Sequence, residues 1–479
     1  SNYFSPTTFC NSNNDIFITP DGKIKLCRYS EVTIDILNEI KNRDQKMLKR
    51  KFLMANDMLG NACPFIYKDR MSALAIDGGK PLFESGEGKF IHPKITTSLV
   101  GEVVNQLKET ISIYDDSGIF KEFEDGFKKY HNKKYGLVTS SGTAAIWSMY
   151  DAINLKPGDE VICPIYTFFA TVSPIFQTGA VPVFVDCDET GNMNWTKIEE
   201  KITSKTKAIM VVHIWGYPAK MDKIREIANK YELYLLEDCS HAHGGEYKGK
   251  KLGEWGDAAA FSIQGNKIIT GGEGGVLITS DYSIYKNSLL LGHYNKRCKQ
   301  ELKKSSIDYQ YADTGKGLKL RAHPIAIRIA NHMFKHLDEY NSYKTCYAEM
   351  VTECVKGIDG LSVVQPYEGS KCAYYALIIK FDESKFKVSR DDFVKALQAE
   401  GCVEFDIPSS TAPLNHFKLF SNPEFFFKTY QPNDLGNFEN AEKFYNSIIK
   451  MPIWYSPDDW LVVYKYCEAL KKVAKAYGR

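Results

Sequence analysis

Lys267 lies between a short polar run and a glycine cluster in residues 261–275. A lysine amine attacks a carbonyl carbon only in its neutral form, so such a lysine must be partly withdrawn from water. The four glycines within residues 271–275 permit close backbone approach, because a residue without a Cβ atom tolerates positive φ and leaves room for a ligand. The segment predicts a nucleophilic lysine, although on its own it is more typical of a solvated surface lysine.

A helix that begins directly after a short strand supplies a candidate anion site. Residues 135–139 read as an apolar strand, and Ser140, Ser141, Gly142 and Thr143 lead from it straight into a helical pattern. The first turn of a helix has unpaired N–H groups and a partial positive charge, so a turn of small residues there can hold a phosphate. An ordinary Ser/Thr helix cap is the alternative interpretation.

Two further segments offer partners for a planar, positively charged ring. Phe168 follows an apolar strand and can either lie flat on a heterocycle or belong to the core. Asp238 ends another apolar strand, where open α/β sheets place ligands. A carboxylate there is costly unless a positive group, such as a protonated pyridine nitrogen, meets it. His241 and His243 also raise zinc, but no further ligand completes a set, and we predict no metal.

Composition excludes several classes of partner. The chain has 479 residues and a formal charge of +2, from 61 basic and 59 acidic side chains, without a basic block. Nucleic acids and anionic membranes are therefore not expected as partners. No apolar run approaches the roughly 18 residues of a membrane span, and no charged-then-apolar leader opens the sequence. The 12 cysteines are scattered without a CxxC pair, which is typical of reduced thiols and predicts a cytoplasmic protein.

The length predicts one large and one smaller domain with an appendage. We place an N-terminal extension at residues 1–70, a large domain at 71–330 and a small C-terminal domain at 331–479. Apolar strands alternate with helical patterns in the large domain, including a helix at residues 195–203, which indicates an α/β fold with a mainly parallel sheet covered on both faces. The last domain is predicted as compact α+β, with a strand at 373–381 and helices at 390–400 and 461–476.

Two connecting segments carry separate expectations. The charged stretch of residues 296–319 is low in apolar side chains, and we expect a loop there or a segment that orders against a partner chain. Residues 324–353 have the spacing of one long helix that leads to the second domain.

The extension differs in pattern from the rest of the chain. Residues 16–27 predict a strand pair around a Pro-Asp-Gly turn, and residues 30–59 have helical spacing. Cys10, Cys27 and Cys63 could ligate zinc or an iron–sulfur cluster, and their layout faintly resembles the cysteine-bearing tail of radical-SAM enzymes. Three widely spaced cysteines are fewer than the usual ligand set, so an extension packed against the body is the favoured interpretation, with its role open.

An anion cradle, an aromatic ring, a strand-end aspartate and a glycine-flanked lysine follow one another across residues 140–275. Together they predict pyridoxal phosphate, with its aldehyde on Lys267. The sequence resembles the DegT/DnrJ/StrS sugar aminotransferases from residue 74 to the C-terminus. The resemblance rests on residues 140–144 (Ser-Ser-Gly-Thr-Ala), 164–168 (Pro-Ile-Tyr-Thr-Phe), 237–244 (Glu-Asp-Cys-Ser-His-Ala-His-Gly), 261–267 (Phe-Ser-Ile-Gln-Gly-Asn-Lys) and 272–275 (Gly-Glu-Gly-Gly).

The resemblance implies the fold-type I architecture, with a seven-stranded, mainly parallel sheet in the large domain. It also implies a homodimer whose active sites are built from both chains. The residues expected to contact the cofactor are Gly142, Thr143, Phe168, Asp238, His241, Ser262, Gln264, Lys267 and Lys319. Lys319 stands where the family's Gly-x-Asn-x-Arg segment has an asparagine that reaches the neighbour's phosphate. A lysine can meet a phosphate as a point charge.

By the same resemblance the protein is a transaminase with Lys267 and Asp238 as catalytic residues, since members that lack the lysine act as dehydratases. L-Glutamate or L-glutamine would donate the amino group to a keto-sugar, free or nucleotide-linked, or to a keto-cyclitol. Gln264 and the Ser-His-Ala-His run of residues 240–243 look most like the branch of the family that makes aminocyclitols and aminohydroxybenzoate. Residues 406–414 depart from the family's histidine-containing patterns and leave the acceptor open. A lyase or aldolase using the same cofactor, and a non-catalytic binding module with residues 1–70 as its arm, are the alternatives.

Overall fold

The computed structural model describes residues 74–78, 80–83, 88–428, 430 and 435–479, together with three short strands nearer the N-terminus. These are β1 (Phe17–Ile18), β2 (Ile24–Lys25) and β3 (Thr33–Ile34). β1 and β2 pair antiparallel, which confirms the strand pair predicted around the Pro-Asp-Gly turn. β3 lies where a helix was expected to begin, so that part of the prediction is wrong. The remainder of the predicted helix, and Cys10, Cys27 and Cys63, lie outside the described residues.

A seven-stranded sheet forms the centre of the larger part of the chain. Its strands are β4 (Tyr135–Thr139), β5 (Glu160–Pro164), β7 (Val181–Val185), β8 (Thr206–Val212), β9 (Tyr234–Asp238), β12 (Ala258–Ser262) and β13 (Gly275–Thr279). The spatial order is β4-β13-β12-β9-β8-β5-β7. β13 is antiparallel to both of its neighbours, while the pairs from β12 to β7 are parallel. This arrangement confirms the predicted mainly parallel sheet.

Alternating residues of these strands enter two different apolar cores. In β8, Ala208, Met210 and Val212 face one core, and Ile209 and Val211 face the other. A strand that is apolar on both faces must be covered on both, since successive side chains point to opposite sides. The helices of this part are α1 (Thr97–Glu109), α2 (Gly118–Tyr130), α3 (Gly142–Ala152), α4 (Met221–Lys230), α5 (Tyr282–Gly292), α6 (Lys296–Glu301) and α7 (Pro324–Phe334).

A third core lies in the C-terminal part. It is built on the antiparallel strands β14 (Leu361–Val363), β16 (Leu377–Phe381) and β18 (Ile448–Met451). The helices are α8 (Leu337–Lys356), α9 (Arg390–Ala399), α10 (Lys418–Ser421), α11 (Glu439–Ser447) and α12 (Trp460–Tyr477). Short strands complete the fold: β6 (Tyr166–Phe168) with β17 (Thr411–Pro413), and β10 (Glu246–Tyr247) with β11 (Lys250–Lys251) and β15 (Ser370–Lys371). Among the described helices, none is long and apolar enough to cross a lipid bilayer.

The lead-in segment, which consists of the described residues between 74 and 83, packs on this third core. Leu74, Leu82 and Phe83 are buried there, and the Ala75 N–H donates to Glu400 Oε1 at 2.8 Å. Our domain boundaries at residues 70 and 330 remain a prediction. The separate core of the C-terminal part supports the boundary at residue 330. The lead-in segment, which we assigned to the large domain, contacts this C-terminal core.

Three predicted elements differ from the structure. Residues 195–203 form two short 3-10 turns, Trp195–Lys197 and Glu199–Lys201, rather than one helix. The long helix of residues 324–353 is divided into α7 and α8, because His336 has non-helical backbone angles. The strand predicted from residue 373 begins only at residue 377, since Tyr374 has a φ of 46°, which a strand does not accommodate.

Residues 296–319 contain ordered structure around one buried arginine, so the loop expectation is wrong for their first part. Arg297 is 2% exposed, and its two terminal nitrogens donate to the two carboxylate oxygens of Glu124 at 2.9 and 2.6 Å. Its Nε donates to Glu301 at 2.7 Å. Glu124 also accepts the Val138 N–H of strand β4. The ion pair between Arg297 and Glu124 therefore connects α6 to α2, and through Glu124 to strand β4 at the edge of the sheet.

We predict that Arg297→Met destabilises the protein by about 3–5 kcal/mol, because it leaves the Glu124 carboxylate buried without a cation. Adding Glu124→Gln should recover part of the loss, since the amide oxygen still accepts the Val138 N–H. The measurement is the urea midpoint of unfolding. Lys223→Met removes an exposed ion pair with Glu226 and should leave the midpoint unchanged. An Arg297→Met protein whose urea midpoint equals that of the Lys223→Met control would contradict the prediction.

Candidate active site

The segments predicted to carry chemistry meet at one edge of the central sheet. β4, β9 and β12 end there at Thr139, Asp238 and Ser262, and the register places Thr139 opposite Gly275 and Ser262 beside the same glycine. Helix α3 begins directly after β4, and the loop that contains Lys267 joins β12 to β13. Because the carboxyl ends of parallel strands lie at one edge, residues distant in sequence become neighbours.

The N-terminus of α3 rests directly on the end of β12. A Cβ atom added at Gly142 would lie 2.7 Å from the Ser262 Cβ, so only glycine permits this approach. The Ser141 hydroxyl accepts the Ala144 N–H at 3.0 Å. The N–H groups of Gly142 and Thr143 have no acceptor within the described part of the chain. The segment is thus a serine-capped helix whose first two N–H groups remain available to an anion.

Asp238 is a buried carboxylate, 5% exposed. Its Oδ2 accepts the Thr171 hydroxyl at 2.7 Å, and its Oδ1 accepts the Ser240 N–H at 3.0 Å. Thr171 is in turn hydrogen bonded to Thr167. No cationic side chain among the described residues forms an ion pair with Asp238. A buried carboxylate held by neutral donors alone fits a ligand that brings its own positive charge, as a protonated ring nitrogen does.

Lys267 is half-buried, with its amine beside an aromatic ring. Its Nζ lies 4.3 Å from the centroid of the Tyr375 ring. Burial lowers the pKa of Lys267 to about 8, and the Asp238 carboxylate opposes part of this shift. At this pKa an appreciable fraction of the amine is neutral near pH 7. Only the neutral amine can attack an aldehyde.

His241 stacks in a row of rings next to this amine. Its imidazole lies 4.0 Å from the Tyr375 ring at an interplanar angle of 4°, and 5.6 Å from the Trp215 ring. His241 Nδ1 accepts the Trp215 N–H at 3.3 Å, which places the ring proton on Nε2. Burial, with the nearby charge of Lys267, holds the pKa of His241 well below its usual value. His241 is therefore a neutral ring with one N–H to donate.

The remaining predicted residues are not joined to this group by direct contacts. Phe168 is 37% exposed, with its ring 4.3 Å from that of Phe169. Gln264 Oε1 accepts the Asn266 N–H of its own loop. Lys319 is exposed and forms no hydrogen bond or ion pair by its side chain within the described residues, although Ser140 donates to the carbonyl of the adjacent Leu320 at 2.6 Å.

Residues that the sequence did not single out complete the surroundings. Thr171 lies three positions beyond Phe168. A hydroxyl side chain in that otherwise apolar turn was the signal in the sequence that could have identified it. Tyr375 comes from a loop and Trp215 from the short 3-10 turn Ile214–Gly216, neither with a recognisable sequence pattern. Trp215 adopts a φ of 56° that no composition argument predicts. All three contact a predicted site residue.

One buried group has metal-ligand chemistry, formed by His213, Glu237 and Cys239. Two of its three side chains are already engaged: His213 Nδ1 accepts the Ala219 N–H, and Nε2 therefore carries the proton that is donated to Glu237 at 3.1 Å. Glu237 also accepts the Gly253 N–H. This network stabilises the sheet edge through hydrogen bonds.

Comparison with known proteins decides the family. The model of the DegT/DnrJ/EryC1/StrS aminotransferase family matches residues 101–459. The chain belongs to this family. A GDP-perosamine synthase of Escherichia coli O157:H7 is 35% identical over 287 residues, 59% of this chain and 75% of that protein. A putative L-glutamine:3-amino-2,3-dideoxy-scyllo-inosose aminotransferase of Micromonospora echinospora is 31% identical over 72% of this chain and 82% of its own length.

Solved structures share the fold of this family member. An aminotransferase from Psychrobacter cryohalolentis has a TM-score of 0.70 and 25% identity, covering 80% of this chain and 98% of its own. The E. coli GDP-4-keto-6-deoxy-D-mannose-3-dehydratase with bound hydrated pyridoxal phosphate has a TM-score of 0.68 and 22% identity, covering 82% and 99%. Family, fold type and enzyme class are thereby confirmed, and the cofactor named in the dehydratase structure is the one predicted for this chain.

We predict that Lys267 of the cofactor-free aminotransferase titrates at about pH 8. At pH 7 roughly 10% of its amine is then neutral, against roughly 0.03% for a lysine with a pKa of 10.5. Its rate of reductive methylation by formaldehyde should rise as the pH approaches 8 and level off above it. Asp238→Asn should move the midpoint lower, because the carboxylate raises this pKa.

Lys267→Arg supplies the background of the methylation experiment, since it removes only the amine in question. Peptide mass spectrometry assigns the modified lysine. A midpoint at the ordinary lysine value, or a midpoint that rises in Asp238→Asn, would contradict the assignment of burial and Asp238 as the two opposing causes.

Proposed function

We propose that the protein is a pyridoxal phosphate-dependent aminotransferase that moves an amino group from L-glutamate or L-glutamine to a keto-sugar or keto-cyclitol. The observation that carries this proposal is the pair formed by Lys267 and Asp238. One is a lysine with a lowered pKa, and the other is a buried carboxylate without a cationic partner, at the same edge of the sheet. Together they suit a cofactor with an aldehyde and a basic ring nitrogen.

The bound cofactor would supply an electron sink for the carbon that loses its proton. Asp238, held by the Thr171 hydroxyl, would keep the ring nitrogen protonated. The free N–H groups of Gly142 and Thr143, together with the Ser262 hydroxyl, would bind the phosphate. His241 would donate its Nε2–H to the ring hydroxyl, and Phe168 would cover one ring face.

Lys267 has two tasks in this proposal. Its amine would hold the cofactor in the resting enzyme, and once an amino donor is bound, the freed amine would accept and return the proton that the donor carbon loses. A lysine with a pKa of about 8 suits both directions, because its acid and base forms are both accessible near neutral pH.

Relatives support the class of acceptor. Two relatives, a GDP-perosamine synthase and a putative L-glutamine:3-amino-2,3-dideoxy-scyllo-inosose aminotransferase, are named for a nucleotide-linked sugar and for a cyclitol. We propose amino-sugar or aminocyclitol biosynthesis for this chain on that support. A dehydratase is also among the structural neighbours, but by the resemblance some family members that lack this lysine act as dehydratases, so the presence of Lys267 favours transamination.

A homodimer with shared active sites belongs to the same proposal. Helix α1 presents an apolar stripe to solvent, with Val100, Val104 and Leu107 49%, 41% and 51% exposed and Ile111 58% exposed just beyond its end. Val100, Val104 and Leu107 are spaced four and three apart, so they share one helix face. An exposed stripe of this kind indicates a protein interface, and a second copy of the chain would also bring an exposed Lys319. The reduced thiols of the described core are compatible with the proposed cytoplasmic location.

We expect purified protein supplied with pyridoxal phosphate to show a visible absorbance band that bleaches with the true amino donor, L-glutamate or L-glutamine. Lys267→Arg should slow this first half-reaction by at least about a hundredfold, because arginine cannot move the proton. Lys223→Arg, on helix α4 away from the sheet edge, is the matched control. Stopped-flow absorbance gives both rate constants.

Two outcomes of the spectroscopic experiment count against transamination. No band after cofactor addition would contradict the proposed cofactor site. A band that persists with either donor, together with elimination or carbon–carbon cleavage products, would support the lyase alternative in its place.

We predict that Leu107→Glu converts the protein to monomers and removes most activity, because a carboxylate would be buried in the proposed interface. Asn105→Glu, exposed on the same helix but off the apolar face, should leave the dimer intact. Analytical ultracentrifugation measures both. A wild-type protein that is active as a monomer would overturn the dimer proposal.

The shared site has its own test by complementation. Lys267→Arg and Lys319→Ala proteins, unfolded together and refolded as a mixture, would form hybrid dimers with one intact site. Roughly a quarter of the total sites would then recover activity if each site uses Lys267 of one chain and Lys319 of the other. Lys319→Ala protein that is fully active alone would remove Lys319 from the site.

A further inference from the structure

A short segment ahead of helix α1 crosses over the lysine loop. Within it, His92 Nε2 lies 2.7 Å from the carbonyl oxygen of Lys267, and His92 Nδ1 lies 2.9 Å from the hydroxyl of Tyr455. Tyr455 also accepts the Lys94 N–H at 3.2 Å. His92 lies before the region that the family model matches, residues 101–459. The ring therefore connects the lysine loop to the C-terminal part of the chain.

Proton counting leaves one arrangement for this chain of hydrogen bonds. A carbonyl oxygen only accepts, so His92 Nε2 carries a proton and donates it to Lys267. In the neutral ring Nδ1 must then accept, and it accepts the single hydroxyl proton of Tyr455. Tyr455 in turn accepts from the Lys94 N–H. Burial lowers the pKa of His92 to about 4, against the opposing effect of the bond to Lys267, so the neutral ring that this arrangement needs is the form present near neutral pH.

The ring is also fixed by packing. Phe90 stacks against His92 at 5.9 Å, and Tyr455 meets it edge-on at 5.4 Å. Tyr340 of helix α8 packs against Tyr455 at 4.8 Å. Lys94 forms an ion pair with Asp459 at 2.7 Å. These contacts leave the imidazole little freedom to rotate, so its Nε2–H has a defined direction.

The Lys267 peptide group depends on this donor. The Lys267 N–H donates to the Gln264 carbonyl at 2.9 Å, which fixes one side of the residue. On the other side, His92 is the only donor to the Lys267 carbonyl among the described residues. A carbonyl without a donor in this partly buried place is unfavourable, and the loop can relieve the loss by rotating the peptide. That rotation would redirect the lysine side chain.

We propose that His92 is a positioning residue, which holds the Lys267 carbonyl through Nε2–H and is itself oriented by the Tyr455 hydroxyl. This inference rests on the proposed function of Lys267. His92 acts through the backbone of the lysine and does not touch the cofactor. The C-terminal part of the chain thereby controls the direction of the reactive amine.

Two near-isosteric variants separate the two hydrogen bonds of the ring. His92→Gln carries an amide N–H at the place of Nε2 and keeps the donor to Lys267. His92→Asn carries its amide at the place of Nδ1, so it keeps the hydrogen bond with the Tyr455 hydroxyl and loses the one with the Lys267 carbonyl. We expect His92→Asn and His92→Ala to slow the first half-reaction by about tenfold to a hundredfold with little change in donor KM, because a misdirected lysine costs rate rather than donor binding. His92→Gln should stay within about threefold of wild type.

A second readout needs no cofactor. In the apoprotein, the methylation midpoint of Lys267 should shift in His92→Asn and remain in place in His92→Gln, since only the former frees the lysine backbone. Nitrogen-15 spectra of histidine-labelled protein should show the His92 proton on Nε2 from about pH 6 to about pH 8. Tyr455→Phe should loosen this preference.

The inference is overturned if His92 carries its proton on Nδ1, or if the glutamine and asparagine variants behave alike in rate and midpoint. Wild-type protein without a cofactor band would instead defeat the proposed function, while the nitrogen-15 result would still report on the hydrogen bond. If His92→Ala fails to fold, the His92→Gln and His92→Asn variants still decide whether His92 positions Lys267, provided that these two variants have similar melting temperatures.

Discussion

Two oppositely charged groups share one poorly solvated edge of the sheet without pairing. Asp238 is held by a hydroxyl and a backbone N–H, and the Lys267 amine lies against the Tyr375 ring. A direct ion pair would stabilise the ammonium and return its pKa to the ordinary range. Kept apart, the carboxylate only partly offsets the effect of burial on the lysine. The chemistry of the site depends on this separation.

The separation is built from contacts distant in sequence. The Thr171 hydroxyl that holds Asp238 comes from the turn after β6, and the donor that holds the Lys267 carbonyl comes from a segment 175 residues earlier. The sheet brings these contacts together, because its parallel strands end at one edge, where Asp238 and the loop that contains Lys267 meet the residues that bind them. Helix α3 reaches the same edge only because Gly142 has no Cβ atom.

This origin explains which features were predictable. Strands buried on both faces appear in the sequence as unbroken apolar runs, so the parallel sheet and the order of its motifs were recognisable, as were Asp238 and Lys267 at loop or strand ends. Partners were not recognisable, because Thr171, Tyr375 and His92 are ordinary residues until the fold brings them to the site. The charged run that contains Arg297 misled the prediction for the same reason: its partner Glu124 is 173 residues away.

The C-terminal part also reaches two of the candidate site residues, Phe168 and His241. β17 pairs with β6 so that Thr411 lies opposite Phe168, and Asp406 pairs through its backbone and its side chain with Lys450. The Lys450 amine lies 5.9 Å from the Trp215 ring, which stacks on His241. Residues 406–413 therefore run from the neighbourhood of His241 to that of Phe168. A change in residues 406–413 would therefore alter the surroundings of His241 and of Phe168 together, so under the proposed function the departure of this segment from the family's pattern would affect both the acceptor pocket and the contacts of the cofactor ring.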